Sequence, residues 1–298
     1  MKLCAMTIVA ALFLPMLACA KAPDAEAAPQ AGLAATPVPV PIPSMGADPK
    51  APWTVHLDEG LDVHSLPLAD APVLATLPVG TLVSGDYFRV EETDEEWIAI
   101  EHEGVQGWIS RVGVNRVHPA NAAAIAQHGD LPFGTEIVNR WWGIPHEYEP
   151  SDLVTLPDAY VSRRDPDREY QLRREAAEAM MRMLDAAEAE GFGLRVASPY
   201  RSGATQRRIY AGNVARNPAQ RASAPPGHSE HQLGTTADLV AWPREEGARG
   251  FLKKDDPQHG WLLENAERFG FRQTYRAGNI AETGYIEEPW HWRYMGTE

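Results

Sequence analysis

The sequence predicts two globular parts of different class, a small all-β module over residues 53–117 and an α+β domain with a small mixed sheet over residues 122–298. Three observations carry that reading. Residues 53–116 break into short alternating runs such as VLATL, TLVSGDYFRV, WIAIE and GWISRV, separated by turn signals at Pro78-Val79-Gly80, Asp94-Glu95-Glu96 and Glu103-Gly104. The stretch DREYQLRREAAEAMMRMLDAAEAEGFG carries apolar residues at helical spacing. After it, short apolar runs and helical patterns follow one another irregularly, which fits an α+β domain better than a regular βαβ array. At 298 residues the chain has room for two buried cores.

Residues 1–20, MKLCAMTIVAALFLPMLACA, place Lys2 before an apolar run that ends in small residues. That is the layout of a secretory signal, and the run is too short for an ordinary membrane span. Two processing readings compete. Ala18-Cys19-Ala20 fits an A-x-A cleavage site, while Leu17-Ala18-Cys19 resembles a lipoprotein signal that leaves Cys19 lipidated, with Met16 where such signals usually have Leu. The expected location is therefore the periplasm or cell envelope, with membrane contact only through a lipid on Cys19. Residues 21–52, rich in Ala and Pro, cannot bury a core and favour extended conformers, as a tether would.

Forty-one acidic residues against 27 basic give a formal charge of −14, which opposes binding to nucleic acid or to an anionic membrane surface through electrostatics alone and fits a soluble enzyme or surface protein better. Cys4 and Cys19 are the only cysteines, both inside residues 1–20. The rest of the chain has no disulfide and no cysteine nucleophile, so any metal site there must use His, Asp or Glu.

In the module, LDVHSLPLADAPVLATLPVGTLV leads through an acidic turn to EEWIAIEHEGVQGWISRVGV. This order resembles a bacterial SH3-like domain, with Trp97 and Gly107-Trp108-Ile109 at its late-strand positions, and implies a small barrel. Asp62 and His64-Ser65-Leu66 stand where that family more often has Asn and Arg-Ser-Gly. Core roles are expected for Trp97 and Trp108.

In the α+β domain, Leu172, Ala176, Met180, Met183, Leu184 and Ala187 form the inner face of a helix of about six turns that Gly191 stops. Its methionines are expected to fill core space. Strands are then expected at Leu194–Ser198, Thr236–Ala241 and Trp290–Met295, and helices at 204–216 and at Gln258–Phe269, the latter closed by Gly270.

The chemistry concentrates in three segments. In SAPPGHSEHQLGTTADLV, Asp238 follows His231 by seven residues inside an apolar strand. A lone ionised Asp buried there costs several kcal/mol, so it needs either a metal or a hydrogen-bonding neighbour, and this segment alone does not choose between them. GYIEEPWHWRYMG brings Glu288 and His291 together around Pro289, which disfavours helix at Glu288. His, Asp and His are three donors, a catalytic rather than a structural count, and a carboxylate that is not a ligand, here Glu288, can take the proton of the attacking water. Ser198-Pro199-Tyr200-Arg201-Ser202 leaves a strand at its C-terminal end, where Arg201 could grip a substrate carboxylate or an oxyanion, or pair with a surface Glu.

Taken in order, SPYRS, Gln206, PGHSEHQLGTTADL and EPWHWRY, with the lead-in IVNRWWGIPHEYEPSDLVTLP, resemble the VanY-type family of zinc D-alanyl-D-alanine carboxypeptidases across residues 131–296. The resemblance implies an α+β zinc peptidase domain acting on peptidoglycan stem peptides. It implies that His231, Asp238 and His291 hold the zinc, that Glu288 is the base, that Arg201 anchors substrate or oxyanion, and that Gln206 and Ser229 touch substrate. Pro199 stands where the family commonly has Gly. The resemblance puts no ligand at His228, which is expected to be solvated, and His146, His259, Trp141 and Trp142 have no assigned partner. L,D-carboxypeptidase, D,D-dipeptidase and endopeptidase activities share the same machinery. A silent wall-binding protein is the alternative outside enzymes.

Overall fold

The computed structural model describes residues 38–41, 52–162, 168–217, 220, 222–243 and 250–297. The expected secretory signal lies outside these residues, as does most of the expected tether. Residues from 37 onward cluster as one unit.

The chain begins with strands β1 (Pro39–Pro41), β2 (Trp53–Val55), β3 (Leu61–His64), β4 (Val73–Leu77), β5 (Leu82–Val83), β6 (Gly85–Val90), β7 (Glu96–His102), β8 (Val105–Ser110) and β9 (Val114–Asn115). They pair antiparallel into a six-stranded sheet ordered β1-β6-β7-β8-β3-β4 and a three-stranded sheet ordered β5-β2-β9. The two ladders stay open, so the strands expected for a barrel form two sheets sharing a core of Trp53, Val55, Ile98, Ile109 and Val114. Trp97 is buried as expected. Trp108 is only half-buried, edge-on to Phe88 at 5.2 Å. The alternation of a strand explains the difference: Ile109 takes the core side, which turns Trp108 to the other. Strand β1 comes from the expected tether and adds to the edge at β6, where proline sacrifices no bond on its open side.

Helix α1 (Pro119–His128), strands β10 (Leu153–Thr155) and β11 (Gln171–Arg173), helix α2 (Arg174–Ala189), strand β12 (Leu194–Ser198), helix α3 (Gly203–Arg216), strand β13 (Thr236–Ala241), helix α4 (Pro257–Asn265), strand β14 (Phe271–Arg272), helix α5 (Ile280–Thr283) and strand β15 (His291–Tyr294) follow. The helix whose inner face was expected to include Leu172 thus begins only at Arg174. Leu172 suits the helical period equally well but pairs with Val154 in the β10–β11 ribbon, and Arg173 donates its backbone N–H to the Gly234 carbonyl.

Strands β12-β13-β15-β14 form a wholly antiparallel sheet. On β13, Ala237 and Leu239 face one side and Thr236 and Asp238 the other, because side chains alternate along a strand. The register Asp238↔His291 and Thr236↔Arg293 puts His291 and Arg293 on the Asp238 side and Trp292 and Tyr294 on the opposite side. That opposite side is the core: α2 lays Ala176, Met180, Met183, Leu184 and Ala187 against Val196, Leu239 and Trp292. One face of the sheet is therefore oil and the other carries the polar chemistry.

The all-β part and the α+β part meet over a buried joint. Trp141 and Trp142 enter the core of the all-β strands. Arg140 pairs with Glu96 of β7, which also accepts from the Tyr210 hydroxyl of α3 at 3.2 Å.

Candidate metal centre

His231 sits in a single 3₁₀ turn, Glu230–Leu233, that ends at Gly234 in the left-handed conformation. Asp238 lies on central strand β13, and His291 opens β15 beside it. The three side chains are buried, and one ligand atom from each falls within 4.8 Å of the others. His231 Nε2 is 3.2 Å and His291 Nδ1 3.3 Å from Asp238 Oδ1.

The donor set fits a divalent cation of the zinc type. The Nδ1–H of His231 donates to the Pro199 carbonyl at 2.9 Å, which leaves Nε2 free to face Asp238. Burial by itself opposes the charge on Asp238, but His231 first and then His291 hold its carboxyl well below the usual range. Burial and the positive charge of Arg201 push His231 down to about 4, the neutral state that metal binding needs.

Glu288 reaches the same point from the loop before β15, with Oε2 3.5 Å from His291 Nδ1. Its backbone is fixed on both sides: the N–H donates to Tyr275 O, while the carbonyl accepts from Gln273 Nε2 and from the His291 N–H. Glu288 is outside any helix, as Pro289 dictates. Burial, the largest effect, raises its pKa to about 7; Asp238 adds to the rise, and His291 and Arg201 oppose it.

A β-bulge between Val196 and Ser198 re-aims the chain leaving β12, and Arg201 follows with its N–H on the His231 carbonyl. Its guanidinium feels Asp238 and Glu288, and its buried Nε has no hydrogen-bond partner among the described residues. Gln206 and Ser229 are buried, at 1% and 2% exposure. Gln206 spends its amide N–H on the Ala224 carbonyl, and its Oε1 has no partner among the described residues.

Several residues the sequence left unassigned are placed here. Glu230 bonds His291 Nε2 at 2.9 Å, and Tyr275 stacks on the His291 ring at 4.2 Å. His228, expected in solvent, is fully buried: its Nδ1–H donates to Asn139 O and its Nε2 accepts from the Arg116 N–H. The reason is its place in the joint, where Gly227 at φ +77° brings the loop against Asn115 and Ile144. His259 is held between Lys254 O and Gln273, and His146 stacks on His56. No sequence period marks these pairs, because all but His259 with Lys254 join segments well separated in the chain.

Comparison with known proteins gives this geometry a family context. Residues 169–297 match the family described as VanY, D-alanyl-D-alanine carboxypeptidase. YodJ of Bacillus subtilis (strain 168), a protein provisionally named a carboxypeptidase, is 37% identical over 166 residues, covering 54% of this chain and 59% of YodJ. A D-alanyl-D-alanine carboxypeptidase of Enterococcus faecalis is 36% identical over 128 residues, covering 39% of this chain and 45% of that protein. The chain thus spans about half the length of these relatives. A solved vancomycin-resistance D,D-pentapeptidase, VanY from a VanB-type cassette in complex with Zn(II), is 30% identical, covers 55% of this chain and 89% of its own, and superposes with a TM-score of 0.45.

Proposed function

With residues 169–297 carrying a VanY-type domain, we propose that this protein is a zinc carboxypeptidase that removes the C-terminal D-amino acid of peptidoglycan stem peptides. The observation that carries the reading is the convergence of His231, Asp238 and His291, ligand atoms within 4.8 Å, with the Glu288 carboxylate beside them. In this reading these three residues hold the zinc. When bound, the zinc polarises the scissile carbonyl and makes water nucleophilic near neutral pH.

Glu288, raised to about 7 by burial, is matched to take a proton from water at neutral pH and return it to the leaving amine. Arg201, its Nε buried and unfilled, supplies the cation for the substrate carboxylate or the developing oxyanion. Gln206 and Ser229 remain as substrate contacts in this proposal, with Gln206 Oε1 the open acceptor.

We read residues 53–117 as an SH3-like domain on the strength of its strand order and shared core, and residues 122–298 as the peptidase domain. Residues 1–20 would direct export to the periplasm or envelope, with or without a lipid on Cys19, and residues 21–52, apart from the strand Pro39–Pro41, would form the tether.

The test is to incubate the mature protein with tetra- and pentapeptide muropeptides, with and without a chelator, and identify products by mass spectrometry. Loss of one D-Ala from the pentapeptide alone is expected, abolished by the chelator and lowered about 10²-fold or more in Glu288→Ala. Release of D-Ala from the tetrapeptide instead makes the enzyme an L,D-carboxypeptidase. Full activity in Glu288→Ala refutes the mechanism.

A further inference from the structure

Resting on the zinc reading above, we propose that Glu230 is a positioning residue that makes His291 bind the metal through Nδ1. Glu230 immediately precedes the ligand His231, and both lie in the 3₁₀ turn Glu230–Leu233. Successive residues of such a turn point about 120° apart. His231 therefore meets Asp238 at 3.2 Å, while Glu230 reaches around to the far nitrogen of His291, at 2.9 Å from Nε2.

An imidazole has two nitrogens, and whichever one a carboxylate engages as N–H is lost to the metal. With Nε2–H given to Glu230, only Nδ1 is left, and Nδ1 is the atom that faces Asp238 and Glu288. Tyr275, stacked on the His291 ring at 4.2 Å, fixes the plane of that ring, the backbone N–H tied to the Glu288 carbonyl fixes where the side chain starts, and Glu230 at Nε2 sets which edge faces Asp238.

Glu230 is itself held on every side. Its Oε1 accepts from Arg293 Nη1 at 2.7 Å, its Oε2 accepts from the Thr274 hydroxyl at 2.5 Å, and Arg293 is in turn clamped by Glu136 at 2.8 Å. The side chains of Glu230, Arg293 and Glu136 are 4%, 4% and 0% exposed. Such a network is far more than His291 needs for burial. It fixes the position of one carboxylate at one nitrogen.

The first measurement uses the wild-type chain: loaded with zinc and ¹⁵N-labelled, it is expected to show His291 with a protonated Nε2 and a metal-shifted Nδ1. Ligation through Nε2 would overturn the proposal. The second compares zinc affinity by competition with a chromophoric chelator in wild type, Glu230→Gln and Glu230→Asp. Glu230→Gln is expected to bind zinc about 10- to 100-fold more weakly, with Glu230→Asp between the two. Unchanged affinity in a Glu230→Gln protein with native near-UV circular dichroism would also overturn it. If Glu230→Gln does not fold, the wild-type resonances still decide. Failure of the zinc reading looks different, because the wild type itself then binds no zinc.

Discussion

The imidazole of His56 lies ring to ring with His146 at 4.4 Å, and neither of its nitrogens has a hydrogen-bond partner among the described residues. Burial first, then His146 and Arg111, push its pKa down from 6.5 to about 3. The folded state thus holds it neutral while the unfolded chain takes up a proton below 6.5. Its contribution is complete above that pH and is lost as pH falls toward 3, by up to about 1.4 kcal/mol per pH unit. We expect the stability of wild type relative to His56→Phe to fall between pH 6.5 and 5, where carboxylates with ordinary unfolded values do not titrate. Thermal midpoints of the two proteins across that range check it, and parallel curves would exclude His56 as a titrating group. At this scale the sequence was informative where a residue sits in a motif, as with His231 and Asp238. It was silent on Glu230, whose partners Thr274, His291 and Arg293 lie more than forty residues away and follow no period.

At the scale of elements, the sheet β12-β13-β15-β14 divides stability from chemistry by its two faces. Met183 on α2 packs on the apolar face, away from Asp238 and His291. Met183→Ala should cost about 2–5 kcal/mol of stability and leave zinc affinity unchanged, measured by denaturant unfolding and chelator competition. A large loss of zinc affinity would mean that the faces are coupled. Strands β12 and β13 and helix α3 were legible because their runs of apolar residues or their caps, such as Ser202 accepting from the Thr205 N–H, are local. The start of α2 was not, since Leu172 suits both periods and only its pairing with Val154 decides. The 3₁₀ turn carrying His231 has no periodic signature at all, being four residues long.

At the scale of the molecule, the joint between the all-β strands and the α+β part is buried and ties the two together. Arg140 and Glu96 are 5% and 3% exposed at the side chain, so removing one leaves the other charged and buried. Arg140→Ala should cost about 3–5 kcal/mol and lower a single calorimetric transition for both parts. Two separate transitions in the wild type would show that the joint does not couple them. The composition announced two parts but gave no sign of this union, because Trp141, Trp142 and His228 read as isolated residues until the fold brings them to the strands. Strand β1 adds a mechanical consequence. Val40 and its flanking prolines ladder onto β6, and the sheet of the metal centre shares no strand with them. A pull on the chain ahead of Val38 is borne first by that ladder, so the load parts an edge strand before it reaches the strands that carry Asp238 and His291.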